Sequence, residues 1–136
     1  MRLSGLVHEW ALAEAIVRYL KQEASLRGAA PKRVVVGLGE LQAVDREVFE
    51  FALRELMKME GLESIDIELR EIPAKLRCRR CGFEWSLREV SIEEWVREAI
   101  HFVPEAAHSY LSCPRCGSHD FEIVSGRGVE ICSVEY

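Results

Sequence analysis

The chain has 136 residues, of which 49% are hydrophobic, and its formal net charge is −5 at pH 7. This length predicts one modest core, or a small domain that carries a smaller metal-held one. The acidic balance argues against general attraction to nucleic acid. No apolar run approaches the length that spans a membrane, and the first residues reach His8 and Glu9 too soon for a signal peptide.

The five cysteines indicate where the protein works. Their number is odd, and four of them have the spacing of metal ligands, which differs from the paired cysteines of a secreted disulfide framework. This usage fits a reducing compartment. We therefore expect a cytoplasmic protein.

The first half of the chain predicts two helices and two strands. Apolar residues recur at helical spacing in residues 8–27 and again after Asp45, whose carboxylate suits the N-cap position. Residues 32–38 contain three consecutive valines, which is typical of a strand buried on both faces. Residues 64–72 alternate between apolar and charged side chains, so they predict a half-buried strand.

The second half predicts smaller elements. Ser91 and Glu94 resemble a capping box and predict a helix that ends near His101. Residues 129–136 predict a last strand. We expect that strand to rejoin the first sheet, which would make the intervening region an insertion.

Two copies of one short motif organise that region: Cys78-Arg-Arg-Cys81-Gly and Cys113-Pro-Arg-Cys116-Gly. Two thiolates separated by two residues can face one ion, and the following glycine suits a turn that closes with positive φ. Two such turns, here called knuckles, supply the four sulfurs of a closed tetrahedral Zn²⁺ site. An iron site like that of rubredoxin and a pair of disulfides are the alternatives.

Together these elements predict an α+β fold. Two helices pack on a small three-stranded sheet, and a four-cysteine domain resembling a zinc ribbon is inserted. The predicted boundaries place residues 1–74 and 121–136 in the first domain and residues 75–120 in the insertion. Because the insertion is too short to bury much apolar surface, metal binding should supply much of its folding free energy.

The histidines and the fifth cysteine have simple structural interpretations when each is taken alone. His8 suits an exposed helix entry, and His101 suits the end of the inserted helix, where a cation meets the negative end of the dipole. His108 and His119 suit surface or turn positions, and His119 is also a candidate for a contact near the sulfurs. Cys132 suits a small core or sheet position.

Two further groups of polar residues have a structural and a functional interpretation. The arginines of the knuckles suit charge compensation around four thiolates, with nucleic-acid contact as the alternative; they are Arg79, Arg80 and Arg115. The polar residues that follow the first strand suit a solvated loop and a helix cap, with a ligand cluster as the alternative; they are Glu40, Gln42 and Asp45.

Five motifs, in their order and spacing, resemble the HypA/HybF family of nickel metallochaperones for hydrogenase maturation, in its archaeal form. They are His8-Glu9-Trp10-Ala-Leu-Ala, Val36-Gly-Leu-Gly-Glu-Leu41, the two knuckles, His101-Phe-Val-Pro-Glu105, and Cys116-Gly-Ser-His-Asp-Phe-Glu122 with Gly126-Arg-Gly128. The resemblance implies a nickel-binding α/β domain with an inserted zinc domain that has four cysteine ligands. It implies a protein that is not an enzyme.

The resemblance also implies a cargo and partners. Such proteins pass Ni²⁺, with a HypB-type GTPase, to the large subunit of NiFe hydrogenase, and a homodimer is a candidate assembly. His8 becomes the leading nickel ligand, with Glu9 as an accessory. His101 matches the position from which an imidazole of the inserted region completes the site in archaeal members.

One feature departs from the family pattern. In the family the His-Glu motif directly follows the initiator methionine, whereas here six residues precede Val7. Valine can be encoded by GUG, which can initiate translation, so we expect the native protein to begin at Val7, read as methionine. The terminal amine, the His8 amide nitrogen and the His8 imidazole would then occupy adjacent corners of a nitrogen-rich nickel site.

Three other functional classes have weaker support. The knuckles and their arginines also suit a zinc-ribbon module that binds nucleic acid, although the acidic balance opposes it. A rubredoxin-like electron carrier would use the same four sulfurs for iron. An enzyme would need a nucleophile paired with a base, which the sequence does not show.

Overall fold

The computed structural model describes residues 3–42 and 44–136, and it describes side chains from His8 onward, except for Gln42. Short 3-10 turns at residues 40–42, 87–89 and 104–106 connect some of the elements. The helices and strands, in chain order, are α1 (Leu3–Arg27), β1 (Arg33–Gly39), α2 (Arg46–Met59), β2 (Asp66–Ile72), β3 (Lys75–Cys78), β4 (Glu84–Ser86), α3 (Glu94–Phe102), α4 (Ala107–Tyr110), β5 (Phe121–Ser125) and β6 (Val129–Glu135).

The chain divides into two compact units. The helix–sheet unit comprises Met1–Gly37, Val44–Arg70 and Val129–Tyr136, and the cysteine unit comprises Leu38–Ala43 and Glu71–Gly128. The chain therefore enters the cysteine unit twice, first through a short segment after β1 and then through the long stretch that holds both knuckles.

The helix–sheet unit contains α1 and α2, which pack against each other, and a three-stranded sheet of order β2-β1-β6. The central strand is buried along nearly its whole length, as its valines predicted. Lys32 N–H donates to the Glu135 carbonyl while Gly39 N–H donates to the Gly128 carbonyl, so β1 and β6 run antiparallel. The prediction that the last strand rejoins the first sheet is confirmed.

The two long helices follow the predicted pattern. The buried stripe of α1 recurs every three to four residues, at Ala13, Ile16, Val17 and Leu20. Asp45 caps α2 as expected, because its Oδ1 accepts from Val48 N–H at 3.1 Å.

The cysteine unit is built on a second three-stranded sheet, of order β4-β3-β5. Both pairings are antiparallel: Leu76 lies opposite Trp85, and Cys78 lies opposite Phe121. The buried cluster of this unit contains Leu41, Ala74, Leu76, Cys78, Trp85, Leu87, Val96, Ile100, Ala107, Leu111, Cys113 and Phe121.

Several predicted boundaries differ in the structure. The predicted first domain included residues 38–43, 71–74 and 121–128, which belong to the cysteine unit, where residues 121–125 form β5 and pair with β3. The predicted Ser91 capping box is wrong: α3 has Glu93 at its N-cap, and that side chain makes no capping hydrogen bond. Ile92 packs against the buried cluster, and Glu93 has extended dihedral angles, so the helix begins only at Glu94.

The segment Leu38–Ala43 enters the cysteine unit through a close backbone approach. A Cβ built on Gly39 would lie 2.4 Å from the Gly126 oxygen and 2.5 Å from the Gly128 oxygen. Leu41 then inserts its side chain into the buried cluster, and its N–H donates to the Gly126 carbonyl at 2.9 Å. Only glycine fits at position 39 without a backbone shift.

Among the residues that the structure describes, no helix is both long enough and apolar enough to cross a membrane.

Candidate metal centre

The four knuckle cysteines lie together. Their sulfur atoms are all within 4.8 Å of one another. The Sγ atoms of Cys78 and Cys116 are 3.5 Å apart, and those of Cys81 and Cys113 are 3.6 Å apart. Each short distance joins one knuckle to the other, so the cluster ties β3 to the turn that precedes β5.

The two knuckles have the same backbone geometry. Gly82 N–H donates to the Cys78 carbonyl at 3.0 Å, and Gly117 N–H donates to the Cys113 carbonyl at 2.8 Å. The two glycines have φ of 79° and 75°, a region that other residues resist. The glycine in each motif is therefore what allows the turn to close, as the sequence predicted.

Backbone amides point at the sulfurs of the first cysteine in each knuckle. Cys78 Sγ accepts from the N–H groups of Arg80 and Cys81 at 3.3 and 3.4 Å. The hydrogen bond from the Cys81 amide has the largest effect on the pKa of Cys78 and lowers it. Burial raises this pKa, and the Arg80 amide lowers it again, so the pKa of Cys78 is lowered to about 6. Cys113 Sγ accepts from Arg115 N–H at 3.4 Å.

The pKa values of Cys113 and Cys116 reflect competition within the cluster. Burial raises the pKa of Cys113, but the amides of Cys116 and Arg115 and the Cys81 thiol outweigh it, so the net direction is downward. At Cys116 the Ser118 amide lowers the pKa, whereas burial and the neighbouring sulfurs raise it more, to about 11. The protein alone therefore favours some thiolates but disfavours four adjacent negative charges.

The donor set fits a tetrahedral metal ion better than disulfides. Zinc–sulfur bonds of about 2.3 Å put tetrahedral sulfurs about 3.8 Å apart, close to the distances between the knuckles. A disulfide would bring two sulfurs to about 2.05 Å, and all five cysteines are free thiols in the structure. A divalent cation would supply the positive charge that four thiolates require.

The knuckle arginines contribute mainly through their backbone. Arg80 and Arg115 donate N–H groups to sulfur. The Arg79 side chain instead contacts Asp120 Oδ1 at 3.0 Å and the Phe121 carbonyl at 3.3 Å. Its guanidinium therefore pairs with a carboxylate that follows the second knuckle.

Two histidines support the second knuckle from outside the sulfur cluster. His119 Nδ1 lies 2.8 Å from the Leu111 carbonyl, and His108 Nδ1 lies 3.2 Å from the His119 carbonyl. The His108 ring also stacks on Phe121, with centroids 4.4 Å apart. The contact of His119 is thus to the backbone two residues before Cys113, near the sulfur cluster, where the sequence made it a candidate.

The predicted nickel ligands occupy both units. His8 lies on α1 and is half-buried, and the adjacent Glu9 is 3% exposed. His101 lies in the last turn of α3, is 8% exposed, and has its ring 5.1 Å from the ring of Phe102. Burial of a carboxylate and an imidazole is costly unless another group or an ion compensates it. Their role as nickel ligands stays a prediction.

Glu40 has a defined structural role that the sequence did not reveal. Its side chain is mostly buried, Oε1 accepts from Ala74 N–H at 2.9 Å, and Oε2 accepts from Arg88 Nε at 2.9 Å. Arg88 in turn contacts Glu71. Glu40 therefore anchors the entering segment to the residue before β3 and to the turn after β4, rather than lying in a solvated loop. The signal for this role in the sequence was the position of Glu40 between Gly39 and Leu41, which are both buried.

Two other predicted positions complete the comparison of sequence with structure. The Gln42 side chain lies outside the described residues. Cys132 lies on β6, as one interpretation held, but its side chain is exposed and does not join the core.

Comparisons with known proteins agree over most of the chain. The family model described as "Hydrogenase/urease nickel incorporation, metallochaperone, hypA" matches residues 7–136. The hydrogenase maturation factor HypA of Pyrococcus horikoshii is 51% identical over 132 residues, and that of Pyrococcus abyssi is 49% identical over 132 residues. Both alignments cover 95% of this chain and 95% of the relative.

Solved structures show the same fold. A solution structure of HypA superimposes with a TM-score of 0.62 at 20% identity, covering 95% of each chain. The solution structure of the Ni metallochaperone HypA from Helicobacter pylori gives a TM-score of 0.62 at 19% identity, covering 94% of this chain and 96% of that one. With the family match and the half-identical relatives, these findings lead to one conclusion: the chain belongs to the HypA family of nickel-incorporation metallochaperones.

Proposed function

We propose that the protein binds Ni²⁺ reversibly and delivers it during maturation of NiFe hydrogenase, while a Zn²⁺ ion held by Cys78, Cys81, Cys113 and Cys116 stabilises the cysteine unit. The observation that carries the proposal is the match of residues 7–136 to a family of nickel-incorporation metallochaperones. The sulfur cluster supports the second, structural metal.

Zinc is the proposed resident ion because the site is closed. Four thiolates fill a tetrahedral zinc shell and leave no open position for substrate. The ion would compensate the negative charge of four adjacent thiolates, and it would join the two knuckles. Iron would use the same sulfurs but would make the purified protein red. Elemental analysis and a visible spectrum separate the two ions.

Nickel is the proposed cargo, and His8, Glu9 and His101 are the proposed ligands. Ni²⁺ favours square-planar or tetragonal sets rich in nitrogen, which imidazoles supply. His8 is the leading ligand, Glu9 an accessory, and His101 a second imidazole. If translation begins at position 7, the terminal amine and the His8 amide nitrogen join the set. This ligand chemistry differs enough from four thiolates that each metal has its own site.

The proposed partners follow from the same function. A HypB-type GTPase exchanges nickel with this protein, and the large subunit of NiFe hydrogenase receives it. Both exchanges take place in the cytoplasm. The protein itself acts by binding and release, so no residue is assigned a catalytic role.

Calorimetric nickel titration tests the ligand assignment. We compare chains that begin at Met1 with chains that begin with methionine at position 7, and we expect one nickel per chain, bound more tightly by the shorter form. His8→Ala should abolish nickel binding while leaving one zinc per chain. Glu14→Ala, which alters an exposed side chain on the same helix as His8, serves as the control. Unchanged nickel affinity in His8→Ala would refute the assignment.

His101→Ala asks whether the second unit contributes a ligand. We expect a weaker nickel complex with a changed visible spectrum, because one nitrogen donor is replaced by water. A spectrum and affinity equal to those of the unaltered chain would restrict the site to the first unit and remove His101 from it.

A further inference from the structure

The cysteine unit carries a cluster of exposed large apolar side chains on one short stretch. Trp95 is 57% exposed, Phe102 53%, Val103 54% and Tyr110 45%. These four residues, here called the aromatic surface, lie on α3, on the residue after it, and on α4. Scattered single apolar residues are normal on protein surfaces, but several large exposed apolar residues close together in the chain mark an interaction site more often.

The aromatic surface follows from how α3 is buried. Val96 and Ile100, four residues apart, face the core of the unit. Trp95 and Phe102 are seven residues apart, so they lie on one side of the helix, two turns from each other and away from that core. The helix therefore has two apolar sides, of which the cysteine unit itself covers one.

Two contacts hold the tryptophan in place before any partner arrives. Its indole N–H donates to a Glu93 carboxylate oxygen. Its ring meets the edge of Tyr110, with centroids 5.2 Å apart and planes at 85°. Rings that are already ordered lose little conformational entropy on binding, which is why exposed Trp and Tyr are efficient anchors in interfaces.

The aromatic surface adjoins a proposed nickel ligand. The Phe102 ring lies 5.1 Å from the His101 ring, at an angle of 65°. A protein that exchanges nickel with His101 must bring its own ligand within bonding distance of the ion. An interface of ordinary size covers about 800 Å² on each side, so such a protein would also cover Phe102 and its neighbours.

The charges beside this surface favour a basic partner. Residues 89–98 contain four glutamates and one arginine. Glutamates near the first turn of α3 also stabilise the helix through its dipole. That stabilisation needs acidic residues only at the start of the helix, whereas the four glutamates extend from residue 89 to residue 98. A positively charged segment would be steered to this end of the surface by the excess of carboxylates.

We propose that the aromatic surface is the docking surface for the protein that exchanges nickel with this chain, and that this protein presents an apolar side chain flanked by basic residues. The proposal rests on the proposed function, since it takes His101 as a nickel ligand. It adds the surface, the anchors and the charge of the partner.

The test measures binding of the purified partner GTPase to the nickel-loaded full chain by biolayer interferometry. Trp95→Ala and Tyr110→Ala should each weaken binding roughly 10- to 30-fold, as expected for an aromatic anchor. Phe51→Ala is the matched control, because Phe51 is a 60% exposed aromatic residue on α2 of the other unit; its affinity should stay within about twofold. Nickel and zinc stoichiometry should be unchanged in all three variants.

A second arm checks the charge of the partner. Glu94→Gln should slow association and reduce its dependence on ionic strength, while dissociation changes little. If Trp95→Ala and Tyr110→Ala bind the GTPase as tightly as the unaltered chain does, the docking surface is refuted, whatever the charge variant shows.

The outcomes separate this proposal from the function on which it rests. Loss of nickel binding in the unaltered chain refutes the proposed function directly. Normal nickel binding with GTPase affinity that the aromatic variants do not alter refutes only the docking surface. If the unaltered, nickel-loaded chain binds no GTPase, both the partner assignment and the docking surface fall.

Discussion

The two units of this protein reach a stable core by different means. In the helix–sheet unit the buried residues are mostly apolar side chains from two long helices and a sheet, with Phe49 and Leu53 fully buried on α2. In the cysteine unit, two of the buried cluster members are themselves cysteines, Cys78 and Cys113. One core is thus complete without a metal ion, and the other has ligand atoms built into it.

Under the proposed function, this difference separates two kinds of metal chemistry. A unit with short strands and short helices buries too little apolar surface to fold strongly by itself, so the proposed zinc ion would stabilise it. The core of the helix–sheet unit, over the residues that the structure describes, contains no metal-binding sulfur, so nickel bound through His8 and Glu9 would leave without loss of that fold. Stability and cargo would be separated because they make opposite demands on the affinity for metal.

The largest expected effect comes from breaking the sulfur cluster. Cys78→Ser removes one thiolate from the buried side of the site, and structural zinc contributes about 10 kcal/mol or more to small domains of this kind. We expect hydrogen exchange to accelerate across the cysteine unit while the amides of α1 and β1 stay protected. Cys132→Ser alters an exposed cysteine on β6 and should leave hydrogen exchange unchanged in both units. Simultaneous loss of protection in both units would contradict the comparison.

The pKa shifts predict how metal binding depends on pH. The lowered pKa of Cys78, about 6, stabilises the folded metal-free unit above the ordinary thiol pKa, and this contribution disappears as the pH falls through 6. Cys116, with its pKa raised to about 11, is protonated at neutral pH, so a binding ion must displace its proton.

We therefore expect zinc binding to release protons at pH 7.5 and to weaken about tenfold per pH unit for each proton released. Calorimetry in buffers of different ionisation enthalpy counts these protons. Cys132→Ala should leave the count unchanged. A count of zero would mean that all four thiols are already ionised in the metal-free protein.

A smaller effect tests the apolar core of the other unit. Phe49→Ala should reduce the free energy of unfolding of the helix–sheet unit by about 3–5 kcal/mol, because it leaves a cavity at a fully buried position. Phe51→Ala removes the same ring two residues away, where it is 60% exposed, and should cost no more than about 0.5 kcal/mol. Urea denaturation followed by circular dichroism compares the pair. Equal losses would contradict the burial pattern of α2.

The smallest effect concerns the start of α2. Asp45→Ala removes the side-chain acceptor of Val48 N–H and should cost about 1 kcal/mol in the same denaturation experiment. Asp66→Ala breaks only a surface ion pair with Arg33, at 3.7 Å, and should cost less than about 0.5 kcal/mol. If the Asp66 variant is the less stable of the two, the cap is not what fixes the beginning of the helix.

The family motifs and the local patterns were readable from the sequence. The two Cys-x-x-Cys-Gly knuckles, the Asp45 cap and the alternation in β2 depend on residues a few positions apart, so spacing alone predicted them. The return of the last strand to the first sheet was also predicted, with the region of the two knuckles taken as an insertion. Resemblance to a family then named the cargo and its candidate ligands, which local chemistry alone left open.

Other features depended on contacts between distant parts of the chain. Residues 121–125 pair with β3 because the knuckles bring the two segments together across more than forty positions, and Ser91 is not a cap because the buried cluster holds Ile92 in an extended segment. Glu40 was taken for a loop residue, since nothing near it in sequence shows that Ala74 and Arg88 will meet its carboxylate. Amino-acid spacing determined most of the elements and the sulfur site. Only the tertiary structure decided which polar groups are buried and which aromatic rings are left exposed. The reason is that burial depends on what the folded chain places opposite each side chain.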